Sequence, residues 1–136
     1  MLTLSEQSRV LAGILLLSIV TIELGGASVL RIVRGSEPAT DLQRRFNRAG
    51  HAHAGVFVTL ALVCQLLADA ARLDGIVDGV ARLGSAWAAI LVPAGFFLSV
   101  LGKGTTEPNR LIVLLWLGAA SLAAGSVALG VGLLTA

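Results

Sequence analysis

With 136 residues, 56% of them hydrophobic, and a mean hydropathy of +0.89, the chain carries more apolar surface than one soluble core needs. The net charge of +2 and the pI near 9.5 come from arginine islands between apolar runs. No basic face with interleaved aromatics exists, which argues against nucleic acid and for loops that face lipid phosphates. A single cysteine, Cys64, excludes an internal disulfide and reads as a packing residue. The absence of tyrosine excludes a tyrosyl radical or proton relay, and two tryptophans make only a thin aromatic belt.

The first span is expected over residues 10–30, ending at Arg31. It is too long for a signal peptide and is preceded by Glu6 as well as Arg9. Glu23 interrupts its apolar run. An ionisable group inside a bilayer is costly and marks function by default.

The first connection contains Ser36-Glu37-Pro38, which reads as a helix start. Leu42 and Phe46 follow at i and i+4, flanked by Arg44, Arg45 and Arg48. That pattern suits either an interfacial helix on anionic headgroups, kinked at Gly50 where it enters the next span, or a plain basic loop.

The second span is expected over residues 50–68 and opens with Gly50-His51-Ala52-His53-Ala54-Gly55. Two residues apart on a helix means ~200° around the axis. The two rings therefore face opposite sides and serve two partners, unless Gly50 leaves His51 in a non-helical cap. From Arg31, Glu23 lies ~12 Å deep, and from Arg48, His53 lies ~7 Å deep, at 1.5 Å per residue. Glu23, His51 and His53 are thus candidates for one layer.

The connection from Asp69 to Leu83 reads as a short amphipathic helical turn at the outer surface. Its aspartates, Asp69, Asp74 and Asp78, lack the spacing of a calcium loop. The third span is expected over residues 84–102, with a kink or a freed carbonyl at Pro93. Ser99 is a candidate to face the histidine layer. Asn109, after Pro108, reads as a helix cap and otherwise as an outer partner of the site.

The fourth span is expected over residues 111–134. Ala120, Ala124, Ala128 and Gly132 form one small-residue stripe, and Gly118 and Gly125 a second. Such stripes let helices approach closely, within one chain or between chains. The expected fold is therefore all-α: an integral membrane four-helix bundle, a single domain, homo-oligomeric. Arg31, Arg34, Arg44, Arg45, Arg48, Lys103 and Arg110 outnumber Arg9, Arg72 and Arg82. The positive-inside rule then puts loops 31–49 and 103–110 in the cytoplasm of a bacterial-type inner membrane and both termini outside.

The Gly-His-x-His run resembles that of a group of small four-span membrane proteins. His-x-His on a membrane helix is also similar to subunit I of haem-copper oxidases and nitric oxide reductases. In that family, two such histidines serve two haems from opposite faces of one helix. The resemblance covers only this stretch; the copper-binding histidines and the tyrosine of that family are missing here. It implies haem b or a transition metal on His51 and His53, a second ligand from another subunit or else a His/other axial pair, and a trimer by analogy with the family's repeated four-helix units.

Imidazole and carboxylate suit iron, copper or zinc, with Glu23 as ligand or orienting partner. A bound haem would imply electron transfer or small-gas chemistry with a quinone or cytochrome partner. Two other classes compete. One is a small proton-coupled exporter working through Glu23, which would function without the histidines. The other is a non-catalytic accessory subunit, which would tolerate Glu23→Gln.

Overall fold

The computed structural model describes residues 3–136, and these are helical with no strand. Four long helices follow one another: α1 (Glu6–Val33), α2 (Asp41–Ala71), α3 (Gly75–Leu98) and α4 (Val113–Thr135). A 3-10 turn at Arg110–Ile112 leads into the last. All four are long and apolar enough to cross a membrane.

α1 starts on Ser5, whose hydroxyl accepts the Ser8 N–H at 3.1 Å. It stops at Gly35, where φ is +75°. The Gly35 N–H reaches the Ile32 carbonyl at 3.1 Å, and the Ser36 N–H reaches the Arg31 carbonyl at 3.0 Å. This pair of bonds closes the last turn around a left-handed residue, the conformation glycine adopts most cheaply. Ser36 thus finishes α1 rather than opening the next helix. α2 opens at Thr40, where a reciprocal cap joins the Thr40 side chain to the Gln43 N–H and the Gln43 side chain to the Thr40 N–H.

From there α2 runs unbroken through Gly50 for 31 residues, about 46 Å. The separate interfacial helix and the kink at Gly50 are not formed; that stretch is the beginning of α2. Leu42 and Phe46 are half-buried while Arg44, Arg45 and Arg48 are exposed. Phe46 meets Phe96 of α3 edge to face at 5.4 Å. Loop 99–109 is tied to the same end of α2. Thr40 Oγ1 donates to the Thr105 carbonyl at 2.6 Å, and Gln43 Nε2 donates to the carbonyls of Val100 and Gly102.

Residues 72–74 alone connect α2 to α3, with Arg72 in the left-handed region at φ +51°. The surface turn expected from Asp69 to Leu83 is instead divided between the end of α2 and the start of α3. This makes one tight hairpin.

The helices form an open row. α1 rests on α2, α2 on α3, and α3 on α4, with α4 reaching back lightly to α2. No comparable seam joins α1 to α4, so the row does not close into a symmetrical bundle. The tightest seam, α3 on α4, is built on glycine. A Cβ on Gly84 would lie 2.6 Å from the Gly125 Cα, and one on Gly118 would strike Val92. Ser121 Oγ adds a hydrogen bond to the Gly84 carbonyl at 3.0 Å. The stripe that packs inside the chain is therefore Gly118, Gly125 and Gly132, whereas Ala120 and Ala124 are exposed. Cys64 is buried among Ala68, Ala81 and Leu129.

Candidate functional site

α1 and α3 both lie against α2, and two features of different chemistry lie between them. At the hairpin end a buried polar cluster joins them. Arg82 of α3 is 4% exposed. Its guanidinium pairs with Asp69 of α2 at 2.9 Å and Asp78 of α3 at 2.6 Å. It also donates to Ser8 Oγ of α1 at 2.6 Å. Asp69 accepts the Ser5 N–H at 3.1 Å, so the start of α1 is held twice. Gln65 lies fully buried beside them. Its Nε2 donates to the Arg82 carbonyl at 3.1 Å, and its Oε1 is buried without a partner among the described residues. An arginine suits such a cluster because its fork of donors satisfies several acceptors at once.

Toward the opposite end the two helices part. A cleft of about 300 Å³ opens between them, floored by His51, Ala54 and Val58 of α2. Leu15, Ala54, Val58 and Ala89 are buried within it, while Ile14 and Ile90, each 59% exposed, form its lips. Proline has no N–H, so Pro93 leaves the Ala89 carbonyl without its helical donor, and both residues line the cleft.

His51 enters this cleft because of glycine. A Cβ at Gly26 of α1 would lie 2.9 Å from the ring's Cε1 and 3.1 Å from Nε2. Gly25, beside it, lines the cleft and faces open space. Gly50 does the same for α3, since a Cβ there would meet Phe96 and Phe97 at 3.0–3.1 Å. The two phenylalanines therefore straddle Gly50. Phe97 lines the His51 cleft, and Phe96 packs on the His53 ring with centroids 5.1 Å apart.

His53 serves a different side. Its Nδ1 lies 2.7 Å from the Ala49 carbonyl. A carbonyl only accepts, so Nδ1 is the donor in this contact, and in the neutral ring that leaves the Nε2 lone pair free. Phe57 stands edge-on to the ring at 5.4 Å. His51 is helical, inside α2, rather than in a cap. The ~200° separation of the rings thus operates as their spacing requires.

Glu23 does not join them. The α1 residue level with His51 is Gly26, three residues beyond Glu23. The rotation differs as well: Glu23 is exposed on another face of α1 and is not among the cleft residues. Among the described residues no group of three His, Cys, Asp or Glu side chains is placed to hold a metal ion. Ser99 and Asn109 are also elsewhere. Ser99 is the buried cap of α3, and its carbonyl accepts the Asn109 N–H at 2.8 Å. Asn109 Oδ1 accepts the Leu111 N–H, and its Nδ2 donates to the Leu98 carbonyl. Both residues clasp the α3–α4 loop, the capping role already legible for Asn109.

The residues that sequence reasoning missed are Arg82, Asp69, Ser8 and Gln65. One signal was available: Asp78 and Arg82 stand at i and i+4, hence on one helical face. The glycine pair Gly25-Gly26, at the depth of the histidines, was a second. No protein-family model, curated protein or solved structure matches the chain.

Proposed function

We propose that the protein is a membrane-embedded redox protein in which α2 presents His53 as a ligand to a haem or a transition metal. The supporting observation is the contact that orients the His53 ring. Its Nδ1 is tied to the Ala49 carbonyl at 2.7 Å, so in the neutral ring the Nε2 lone pair is the one available to a metal. A histidine ligand is commonly oriented by such a bond from its other nitrogen. Iron, copper and zinc all suit a neutral imidazole.

One chain does not complete such a site. His51 and His53 face different sides, Glu23 lies outside the cleft, and among the described residues no three-ligand group is assembled. The cleft beside His51, at about 300 Å³, stands at the lower limit of ordinary ligand sites and does not suit a haem macrocycle. The reading therefore takes the form of a site shared between chains, in a homo-oligomer (a trimer by the family analogy) or with a cytochrome partner. The exposed Glu23 supports such an assembly, because a carboxyl facing lipid is costly and a partner helix relieves it. The same observation is the one that favours a second reading, an accessory subunit. Transport through Glu23 is less well supported, since Glu23 and the cleft do not form one path. The bacterial-type inner membrane and cytoplasmic loops 31–49 and 103–110 belong to this proposal.

The test is an ultraviolet-visible spectrum of the protein purified in mild detergent, oxidised and dithionite-reduced, with metal analysis on the same sample. A Soret band or stoichiometric metal that is lost in His53→Ala is expected. Folded protein with neither chromophore nor metal would overturn the redox reading in favour of the accessory one.

A further inference from the structure

We propose that the cleft between α1 and α3 is a binding site for the head group of a lipid-soluble quinone, with His51 as the donor to a ring carbonyl. This assignment stands on the cleft alone and does not require a metal at His53.

Four features define the ligand. Its charge is set first: among the described residues no Asp, Glu, Lys or Arg lines the cleft, so an ionised group would enter without one of these as a partner. Its shape and solubility follow from the walls. Leu15, Ile22, Val58 and Phe97 give an apolar slot that is open along one side between Ile14 and Ile90. A molecule dissolved in the membrane reaches the slot from that side, leaving its tail outside. Its size follows from the volume, about 300 Å³, which holds a substituted ring but not a macrocycle.

The polar groups give the fourth feature. Ser18 Oγ donates to the Leu15 carbonyl at 2.7 Å, and Thr21 Oγ1 donates to the Ser18 carbonyl at 2.6 Å. Their protons are committed, so toward the cleft both hydroxyls act as acceptors. Among the cleft residues only the His51 imidazole remains to donate, and it can accept instead through its other nitrogen. A ring carbonyl needs one donor, which His51 supplies. The hydroxyls of the reduced ring need acceptors, which Ser18 and Thr21 supply. A quinone and its quinol meet both requirements in one place. A simple hydrocarbon uses none of these groups, and a carboxylate would bring an unpaired charge.

The experiment uses full-length protein in lipid nanodiscs, freed of metal and haem and checked for helical content. The probe is a radiolabelled decyl-tailed benzoquinone, with empty nanodiscs as reference and decylbenzene as competitor. Saturable binding above the empty discs is expected, unaffected by decylbenzene. An azido derivative should label peptides of α1 and α3. His51→Leu should weaken binding about tenfold, the loss of one hydrogen bond in a dry site. Gly25→Leu fills the open space beside His51 and should abolish binding, whereas Trp116→Leu on the exposed face of α4 should leave it unchanged. Binding equal to empty discs overturns the proposal. So does competition by decylbenzene, which would reveal only an apolar trough, or full binding by both His51→Leu and Gly25→Leu. Because metal-free protein is used, a colourless purified sample does not bear on this outcome.

Discussion

Replacing Arg82 tests whether the polar cluster at the hairpin end holds α1 in place. In Arg82→Ala the guanidinium disappears while Asp69 and Asp78 remain, with side chains only 5% and 16% exposed. Removing one partner of a buried charge set costs about 3–5 kcal/mol, mostly through the charges left behind. Asp69 keeps its bond from the Ser5 N–H, and Asp78 is near enough to the surface to gain water. The expected loss therefore lies toward the lower end, about 3 kcal/mol. Reversible unfolding in mixed micelles gives the number, and hydrogen exchange at the start of α1 gives the location. Exchange at Ser8 and Arg9 should accelerate well before that of α3 and α4. A triple variant, Arg82→Met with Asp69→Asn and Asp78→Asn, removes every charge together and should regain most of the stability. A loss below ~0.5 kcal/mol in Arg82→Ala, as for an exposed ion pair, would refute the reasoning. A triple variant no better than the single one would do the same.

Other expectations follow from particular contacts. Gly84→Ala drives a methyl into the Gly125 backbone and should cost about 2–3 kcal/mol in the same assay, whereas Gly13→Ala meets nothing within 4 Å and should be neutral or slightly stabilising. Thr40→Ala loses the α2 cap and the bond to Thr105, for about 1–2 kcal/mol, with faster proteolysis of loop 99–109 as a second readout. Gly26→Val pushes on the His51 ring but not on His53. It should weaken quinone binding severalfold and leave any metal content unchanged, as measured on one preparation.

Helical pitch and rise were legible in the sequence, and rotation was not. Counting from Arg31 and Arg48 put Glu23 and His53 about 5 Å apart in depth, and the α1 residue that meets His51 is Gly26, three residues beyond Glu23. Which way Glu23 points depends on how α1 is turned against α2. A helix that is apolar nearly all round carries little information about that. The His51–His53 divergence was legible because it depends only on helical pitch. Helix boundaries failed where two signals competed: Ser36-Glu37-Pro38 resembles a helix start, but Gly35 one residue earlier had already committed Ser36 to ending α1. The Arg82 cluster was hidden because its members come from three helices, and charged residues near a predicted loop read as solvent-facing. The choice of glycine stripe on α4 rested on a partner surface, Gly84 and Val92, that the α4 sequence does not contain.

The position of Asp78 has a consequence for biosynthesis. Asp78 and Arg82 lie one turn apart on α3 itself, with Oδ1 and Nε 2.6 Å apart. Their pairing therefore needs no other helix. A bare arginine or aspartate deep in a translocating segment costs about 2.5–3.5 kcal/mol, less near its end. In the proposed membrane setting, the acid and the base neutralise each other as soon as that turn coils, so α3 would leave the translocon with no net charge. It carries with it the guanidinium that later captures Asp69 and Ser8 when α2 and α1 dock.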